Sequence, residues 1–261
     1  MGTTGCASAP SRKIRADRLV LEQELAPSRE KAQALILAGR VYLGEVRVEK
    51  AGHLLPRDAL LQVRGKASPF VSRGGEKLDG ALSAFGIEVA GLVCADIGAS
   101  TGGFTHCLLL RGARRVYAVD VGAGLIDASL RADGRVVLME RTNARYLEKD
   151  AFPEPIDFVT VDASFISLRL LLPAIARAAP HAEAVVLVKP QFEVGRGKIG
   201  KGGIVRNASD REACVRSVID SARESGYECR ASTESAIRGR KGNLESLLHL
   251  IRDPLPEPSV P

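Results

Sequence analysis

The stretch LVCADIGASTGGF, residues 92–104, decides the fold of this 261-residue chain. Its first seven residues form a largely apolar run, which is typical of a buried strand. The glycines that follow favour a tight turn into a helix, where the backbone can approach a ligand and helix N–H groups are free to bind it. We therefore interpret the stretch as a strand, a ligand-binding turn and a helix, which is typical of a nucleotide pocket.

Residues 70–252 alternate between patterns typical of strands and patterns typical of helices. The predicted strands are 92–98, 116–121, 136–141, 157–163, 184–189, 229–237 and 246–251. The predicted helices are 75–86, 103–112, 125–132, 168–178 and 209–225. This alternation predicts an α/β fold with a doubly wound, seven-stranded, mostly parallel sheet, and ligands bind at the carboxyl ends of such strands.

Polar side chains at the ends of these strands form a candidate cofactor site. Asp120 ends the second strand, twenty-two residues after Gly98, where a carboxylate can accept hydrogen bonds from ribose hydroxyls. Asn143 follows the third strand, where an adenine edge would be bound, and Asp162 ends the fourth. The turn adds the candidates Asp96, Gly98, Ala99, Ser100, Thr101, Gly102, Gly103 and Phe104. NAD, FAD and S-adenosylmethionine sites all use these features, and helix capping is the alternative role of Asp96.

Two further motifs offer other functions. GASTG, residues 98–102, fits the nucleophile elbow of hydrolases, but neither His249, in an apolar strand pattern, nor His181, before a strand, suits a catalytic base. GRGKIGKG, residues 195–202, resembles a phosphate-binding loop, but Gly202 stands where a Ser or Thr would hold magnesium. We interpret the second motif as a basic loop over the substrate cleft.

Four charged residues that are far apart in the sequence form the candidate catalytic set: Lys77, Asp162, Lys189 and Glu245. Each lies at the end of an apolar run or in a tight polar turn, and a buried lysine is costly unless it has a partner or a task. Such a set favours group transfer to a weakly acidic hydroxyl, which benefits from a base. We interpret Lys189 as the base, oriented by Asp162, with Lys77 nearby and held by Glu245; a structural salt bridge is the alternative for Lys189.

Residues 15–63 are expected to form a small RNA-binding module. Residues 1–66 carry 12 Lys and Arg against 7 Asp and Glu, whereas residues 67–261 carry 25 against 24. Ser28 begins a predicted helix over 29–38, and the alternation around Gly44 predicts a hairpin. A basic module of this kind can bind a phosphate backbone. The candidate RNA-binding residues are Arg15, Arg18, Arg29, Lys31, Arg40 and Lys50, with Arg64, Arg73, Arg196, Lys198 and Lys201 beyond the module.

Composition narrows the location of the protein. No apolar run approaches the ~20 residues of a membrane span, and the N-terminus lacks the apolar region of a secretory signal. The five cysteines form no C-x-x-C pair, which indicates a reducing compartment and no structural metal site. We therefore expect a cytoplasmic protein with a flexible N-terminus at 1–14, a linker at 64–69 and a solvated Pro-rich tail at 253–261.

Motifs in both parts of the chain resemble known families. SREKAQALILAGRV, residues 28–41, resembles the core of the S4 RNA-binding domain. Six further motifs follow in order: SRGGEKL, D-x-GASTGGFT, RTNAR, VDASFISL, LVKPQFE and GN-x-E. As a set they resemble the TlyA family, which comprises S4-containing rRNA 2′-O-methyltransferases of the FtsJ type and is also labelled haemolysin A.

The resemblance implies both a fold and a reaction. It implies a Rossmann-like class I methyltransferase domain at 70–252, S-adenosylmethionine as cofactor and no metal, with the four charged residues as a catalytic tetrad. The methyl acceptor would be a cytidine 2′-hydroxyl in 16S and/or 23S rRNA, with ribosomal subunits as partners and no membrane. Phe104, Phe165 and Phe192 are candidates for base stacking, with packing as the alternative. A non-catalytic ribosome-binding factor and a haemolysin are the alternative functions.

Overall fold

The structure, a computed structural model, describes residues 13–37, 39–64, 68–195, 197, 199–239 and 241–252, with Lys201 described by its backbone alone. The chain divides into two compact units, and the boundary between residues 67 and 68 falls in the predicted linker. Residues 1–12 and the predicted tail at 253–261 lie outside the described residues.

The first unit is built from two helices and five short strands in its described residues. In chain order these are β1 (Lys13–Arg15), α1 (Ala16–Glu22), α2 (Arg29–Leu37), β2 (Val41–Leu43), β3 (Val46–Arg47), β4 (Leu54–Pro56) and β5 (Leu61–Val63). β1 pairs with β4, and β2 lies between β3 and β5, all antiparallel. The pairing of β2 with β3 confirms the predicted hairpin around Gly44.

α2 begins where the sequence predicts it, after Ser28, whereas the first unit begins earlier than predicted. Ser28 Oγ accepts a hydrogen bond from the backbone N–H of Lys31 at 3.2 Å, so Ser28 caps α2 as predicted. The module was expected to begin at residue 15, but β1 already begins at Lys13. β1 pairs with β4, which is distant from it in the sequence, and no hairpin turn beside β1 marks this pairing.

The second unit contains a seven-stranded sheet. Its strands are β6 (Val93–Ile97), β7 (Arg115–Val119), β8 (Val136–Met139), β9 (Phe158–Val161), β10 (Glu183–Val188), β11 (Tyr227–Glu234) and β12 (Ser246–Arg252), in the spatial order β11-β12-β10-β9-β6-β7-β8. β6 to β10 are parallel, and β12 lies antiparallel between β10 and β11. The predicted mostly parallel sheet is confirmed, and the chain order reverses beside β6, where ligands bind in such sheets.

Six helices accompany the sheet in the described residues. They are α3 (Gly74–Phe85), α4 (Gly103–Leu110), α5 (Ala128–Arg131), α6 (Leu168–Ala178), α7 (Pro190–Glu193) and α8 (Ala208–Glu224). Alternate side chains of β10 face opposite layers: Val185 and Leu187 pack with α3, α4 and α5, whereas Val186 and Val188 pack with α6 and α8. In the described part of the chain, no helix has the length and apolar content to cross a bilayer.

The helix predicted over 125–132 is shorter than expected. α5 begins only at Ala128, because the Asp127 carboxylate accepts the backbone N–H of Ser129 at 3.0 Å and caps the helix there. Residues 122–127 instead form a turn, in which Gly122 donates its backbone N–H to the Asp120 carboxylate at 2.7 Å.

Gly103, the first residue of α4, lies directly against the start of α3. A Cβ atom at Gly103 would be 2.2 Å from Ser72 Oγ and 3.0 Å from the backbone nitrogen of Gly75. Glycine at this position therefore lets two backbones pack together. The same contact sets the position of α3, and with it that of Lys77.

We expect Gly103→Ala to lower the free energy of unfolding by about 1–3 kcal/mol, because α3 and α4 must separate to admit the methyl group. Urea denaturation followed by circular dichroism measures this change. Gly134→Ala is the matched control, since no heavy atom lies within 4 Å of its Cβ position, and it should change stability by less than ~0.5 kcal/mol. Equal stability of the two variants would contradict the packing role of Gly103.

Candidate active site

A cavity of about 1070 Å³ opens at the carboxyl ends of β6, β7, β9 and β10. Its wall contains all four residues of the predicted catalytic set: Lys77, Asp162, Lys189 and Glu245. It also contains five of the predicted cofactor residues: Gly98, Ser100, Asp120, Asn143 and Asp162. The structure therefore gathers both predicted groups in one place, at the reversal point of the sheet.

The four catalytic candidates form two ion pairs. Lys77 Nζ lies 2.5 Å from Glu245 Oε2, and Lys189 Nζ lies 2.5 Å from Asp162 Oδ1. The topology explains the meeting, because β10 pairs parallel with β9 and antiparallel with β12. The ends of β9 and β10 and the start of β12 consequently share one edge of the sheet.

The two ion pairs differ in their surroundings. Lys77 and Glu245 are both buried, and Gly239 leaves room for the carboxylate, since a Cβ there would lie 2.3 Å from Glu245 Oε1. The contact between Lys189 and Asp162 lacks the alignment of a hydrogen bond. Lys189 Nζ instead donates to Ser164 Oγ at 2.9 Å. Lys189 is thus held by two partners on the segment that follows β9.

Asp120 and Asn143 are fixed by backbone groups of neighbouring turns. Asp120 Oδ2 accepts the backbone N–H of Ser100 at 2.8 Å, and its Oδ1 accepts that of Gly122. Asn143 Oδ1 accepts the backbone N–H of Arg145 at 3.1 Å, which leaves its side-chain NH₂ group as a donor toward the cavity. A carboxylate and an amide are therefore oriented in the wall before any ligand arrives.

Six predicted cofactor residues do not line the cavity: Asp96, Ala99, Thr101, Gly102, Gly103 and Phe104. The first turn of α4 is used for packing instead. A Cβ at Gly102 would be 2.3 Å from Leu130 Cδ1, and Phe104 is buried among apolar side chains. The missing Cβ of Gly102 therefore makes room for Leu130, and the Phe104 ring packs in the core. The cofactor roles of these residues stay predictions.

Asp96 lies beneath the cavity and is fully buried. Its carboxyl group accepts hydrogen bonds from the hydroxyls of Thr105 at 2.7 Å and Thr160 at 3.0 Å. Burial raises the pKa of Asp96 from 3.8 to about 7, against the opposing effect of these hydrogen bonds. Asp96 thus joins β6 to the first turn of α4 through Thr105 and to β9 through Thr160.

The predicted RNA-binding residues of the first unit are on its surface or partly buried, and several have partners. Arg15 and Arg29 pair with Asp17, and Arg64 pairs with Glu45 at 2.8 Å. Arg40 Nε donates to the backbone oxygen of Arg64 at 3.1 Å. Exposed side chains complete the set: Arg18, Lys31 and Lys50.

Of the RNA-binding candidates in the second unit, only Arg73 has a described side chain. Arg73 Nη2 donates to the backbone oxygen of Arg238 at 2.6 Å. Arg196 and Lys198 lie outside the described residues, as does the side chain of Lys201.

Ser164 and Asn243 line the cavity but are not among the site residues predicted from the sequence, although both lie in motifs noted there. Ser164 follows Asp162 by two positions, and Asn243 precedes Glu245 by two, so spacing from a strand end was the available clue. Asn243 is buried; its side chain accepts the backbone N–H of Val205 at 2.9 Å and donates to the backbone oxygen of Gly203 at 2.8 Å. It thereby fixes the segment before β12 against the segment before α8.

The structure does not support the hydrolase and phosphate-binding alternatives that two sequence motifs offered. No histidine lines the cavity in the part of the chain that the structure describes, so Ser100 has no base of the hydrolase type beside it. Residues 195–202 follow α7 and do not directly follow a strand, as a phosphate-binding loop would. Within the described ranges, no group of three or more His, Cys, Asp and Glu residues is arranged to hold a metal ion.

We expect the stability of the protein to fall with rising pH because of Asp96. An unfolded Asp ionises near pH 4, so between about pH 4 and 7 the folded state holds one proton more than the unfolded state. Asp96→Asn removes this effect, and its stability relative to wild type should rise by about 2–3 kcal/mol from pH 5 to pH 8. Urea denaturation at both pH values measures the difference. Gly134→Ala, which removes no titrating group, serves as control, and the same offset at both pH values for Asp96→Asn would contradict the prediction.

Comparison with known proteins agrees with this geometry. Residues 70–252 match the family model of the FtsJ-like methyltransferases, and residues 14–60 match that of the S4 domain. The 16S/23S rRNA (cytidine-2′-O)-methyltransferase TlyA of Mycobacterium tuberculosis is 46% identical over 242 residues, which cover 92% of this chain and 90% of that protein. Hemolysin A of Brachyspira hyodysenteriae is 42% identical over 240 residues, which cover 91% of this chain and 100% of that protein.

A solved structure has the same fold over nearly the whole chain. It is a provisionally named hemolysin from Streptococcus thermophilus, 42% identical, with a TM-score of 0.74 and coverage of 97% of this chain and 93% of that one. The chain therefore belongs to the FtsJ-like methyltransferase family and carries an S4 domain ahead of its methyltransferase domain, as the resemblance to the TlyA proteins predicted.

Proposed function

We propose that this protein transfers a methyl group from S-adenosylmethionine to a cytidine ribose 2′-hydroxyl in 16S and/or 23S rRNA. The observation that carries the proposal is the pair of lysine–carboxylate contacts in the wall of the same cavity that holds Asp120. The name of the M. tuberculosis relative supports the choice of acceptor.

The cavity wall suits S-adenosylmethionine in shape and chemistry. Val121 and Leu125 line the cavity and are 68% and 48% exposed, so two apolar side chains are available to flank a purine ring. Asp120 would accept hydrogen bonds from the ribose hydroxyls, and Asn143 would donate to the base edge. When bound, the cofactor supplies a methyl group on a positively charged sulfur.

Lys189 is the proposed base. A ribose hydroxyl keeps its proton at neutral pH, so its oxygen becomes a better nucleophile when a neighbouring group accepts that proton. In the proposed reaction Lys189 Nζ, in its uncharged form, would take the proton as the hydroxyl oxygen bonds to the methyl carbon. The bond between that carbon and the sulfur would break at the same time, and its electron pair would stay on the sulfur, which becomes a neutral thioether. Asp162 and Ser164 hold the amine in place, and the ammonium that results is stabilised by the Asp162 carboxylate.

Lys77 and Glu245 are the proposed positioning pair. Both are buried, so the carboxylate keeps the ammonium in one orientation and leaves its remaining N–H groups to contact the acceptor nucleotide. Transfer of a methyl group depends chiefly on alignment of the two reacting atoms, and a rigid pair of this kind supplies alignment.

Phe165 and Phe192 are proposed to hold the base of the acceptor nucleotide. Both line the cavity, and their ring centroids are 5.3 Å apart. Phe165 is 92% exposed and has a φ of +66°, an unfavourable backbone conformation for a side chain of this size. Phe165 thus presents an exposed aromatic ring from a strained backbone position, in the same cavity wall as Lys189. Such a ring is suited to stack on the nucleobase of the acceptor.

We expect Lys189→Ala to lower the rate of methyl transfer by at least ~100-fold, because the proton acceptor is lost. Glu245→Gln should lower it by at least ~10-fold, since Lys77 then stays buried without its counter-ion. The measurement is single-turnover transfer of labelled methyl from S-adenosylmethionine to ribosomal subunits from cells that lack this protein. Isothermal titration calorimetry should show that both variants bind S-adenosylmethionine with an affinity within ~3-fold of wild type.

Lys149→Ala is the matched control, because Lys149 is an exposed lysine outside the cavity, and it should retain wild-type rates. Wild-type protein that binds subunits but transfers no label would refute the proposed activity and support a non-catalytic ribosome-binding factor. Wild-type rates in Lys189→Ala would refute the role of Lys189 alone.

Phe165→Ala should lower kcat/KM for ribosomal subunits by about 10-fold or more, because stacking on one base is worth about 1–3 kcal/mol. Phe165→Tyr, which keeps the ring, should stay within ~3-fold of wild type. Leu110→Ala removes another exposed apolar side chain, away from the cavity, and should have no effect. A Phe165→Ala protein with unchanged kcat/KM would exclude the stacking role.

A further inference from the structure

Asp17 is a fully buried carboxylate in the first unit, and it accepts hydrogen bonds from three side chains. Arg15 donates through Nε and Nη2, each at 3.0 Å, to the two carboxylate oxygens. Arg29 Nε donates at 3.1 Å, and Gln33 Nε2 donates at 2.9 Å. One carboxylate thus joins the residue before α1 to two residues of α2.

Asp17 holds both guanidinium groups in place without using all of their donors. The Arg15 hydrogen bonds, with those from Gln33 and Arg29, keep the pKa of Asp17 well below its usual range, so the carboxylate is charged at neutral pH. The Arg15 and Arg29 side chains are 42% and 43% exposed. The Nη1 group of Arg15 and both Nη groups of Arg29 do not bind Asp17 and remain available to a ligand.

A turn that carries a third basic residue is attached to the same place. The backbone N–H of Asp17 donates to the carbonyl of Ala51 at 3.0 Å. Gly52 lies against Arg15, because a Cβ at Gly52 would be 3.1 Å from Arg15 Nη1. Lys50 begins this turn and is exposed. Asp17 therefore holds the side chains of Arg15 and Arg29, and its backbone N–H holds the turn that begins at Lys50.

We propose that Asp17 is the positioning residue of the RNA-binding surface of the first unit, because it fixes the guanidinium groups of Arg15 and Arg29 for the phosphate groups of an RNA backbone. Planar guanidinium groups with fixed orientation bind phosphate oxygens through paired N–H donors, which gives both strength and direction. The proposal rests on the proposed function in taking RNA as the ligand, and it adds the residue that makes the basic surface directional.

A purely electrostatic surface and a positioned site respond oppositely when Asp17 is neutralised. Asp17→Asn raises the net charge of the unit by one, so simple attraction to a polyanion predicts tighter binding. A positioned site predicts weaker binding, because Asn offers a single oxygen and no charge to hold the two arginines. The sign of the change therefore separates the two models.

The test measures binding of the full chain, without cofactor, to ribosomal subunits from cells that lack this protein, over a range of salt concentrations. We expect Asp17→Asn to weaken binding about 10-fold and to reduce the slope of log K against log salt by about 1–2, since up to two phosphate contacts are lost. Glu22→Gln is the matched control, with the same charge change on the same unit; Glu22 pairs with Arg57, and binding should change by less than ~2-fold.

Arg29→Lys makes the test independent of how well Asp17→Asn folds. This variant keeps the charge and loses the guanidinium group, so it should also bind about 10-fold more weakly, and adding Asp17→Asn should cause little further loss. Wild-type binding by Arg29→Lys, tighter binding by Asp17→Asn, or fully additive losses would overturn the proposal. Because binding is measured without methyl transfer, a protein that binds subunits but transfers no methyl would refute only the proposed activity.

Discussion

Two buried ammonium groups, each held against one carboxylate, are the constraint on which the second unit depends. Lys77 and Lys189 are 8% and 9% exposed, and an uncompensated charge at such depth costs several kcal/mol. Their partners must therefore arrive from other segments in the correct position. The parallel pairing of β10 with β9 brings Asp162, and the antiparallel pairing of β10 with β12 brings Glu245. The order of the strands in the sheet therefore determines which charged groups meet in the cavity.

Much of this arrangement could be predicted from the sequence, because a charged residue at the end of an apolar run can be recognised without a structure. All seven strands of the sheet were predicted, and the two lysines pair with the carboxylates expected for each. Burial depth could not be predicted in the same way. Asp96 and Asp120 both follow apolar residues at strand ends, yet Asp96 lies under the turn and Asp120 lies in the cavity wall. The buried Asp96 carboxyl accepts hydrogen bonds from Thr105 and Thr160, and these partners come from separate segments that the sequence does not show to be neighbours.

The glycine turn shows that the sequence alone does not tell why a position needs glycine. A missing Cβ allows a ligand to approach, but it equally allows another backbone to approach, and the sequence looks the same in both cases. At Gly98 a Cβ would lie 2.8 Å from the carbonyl oxygen of Asp162, and at Gly103 it would meet the start of α3. The short helices α5 and α7 escaped prediction or were misjudged in length because four residues show no periodicity.

The position of Glu245 has a consequence for biosynthesis. Glu245 directly precedes β12, the last strand of the sheet in chain order, while its partner Lys77 lies on the first helix of the same unit. A nascent chain that ends before residue 245 leaves that ammonium without its counter-ion and leaves β11 with no neighbour to join. The cavity is therefore completed only after Glu245 and β12 have emerged from the ribosome that is translating the chain.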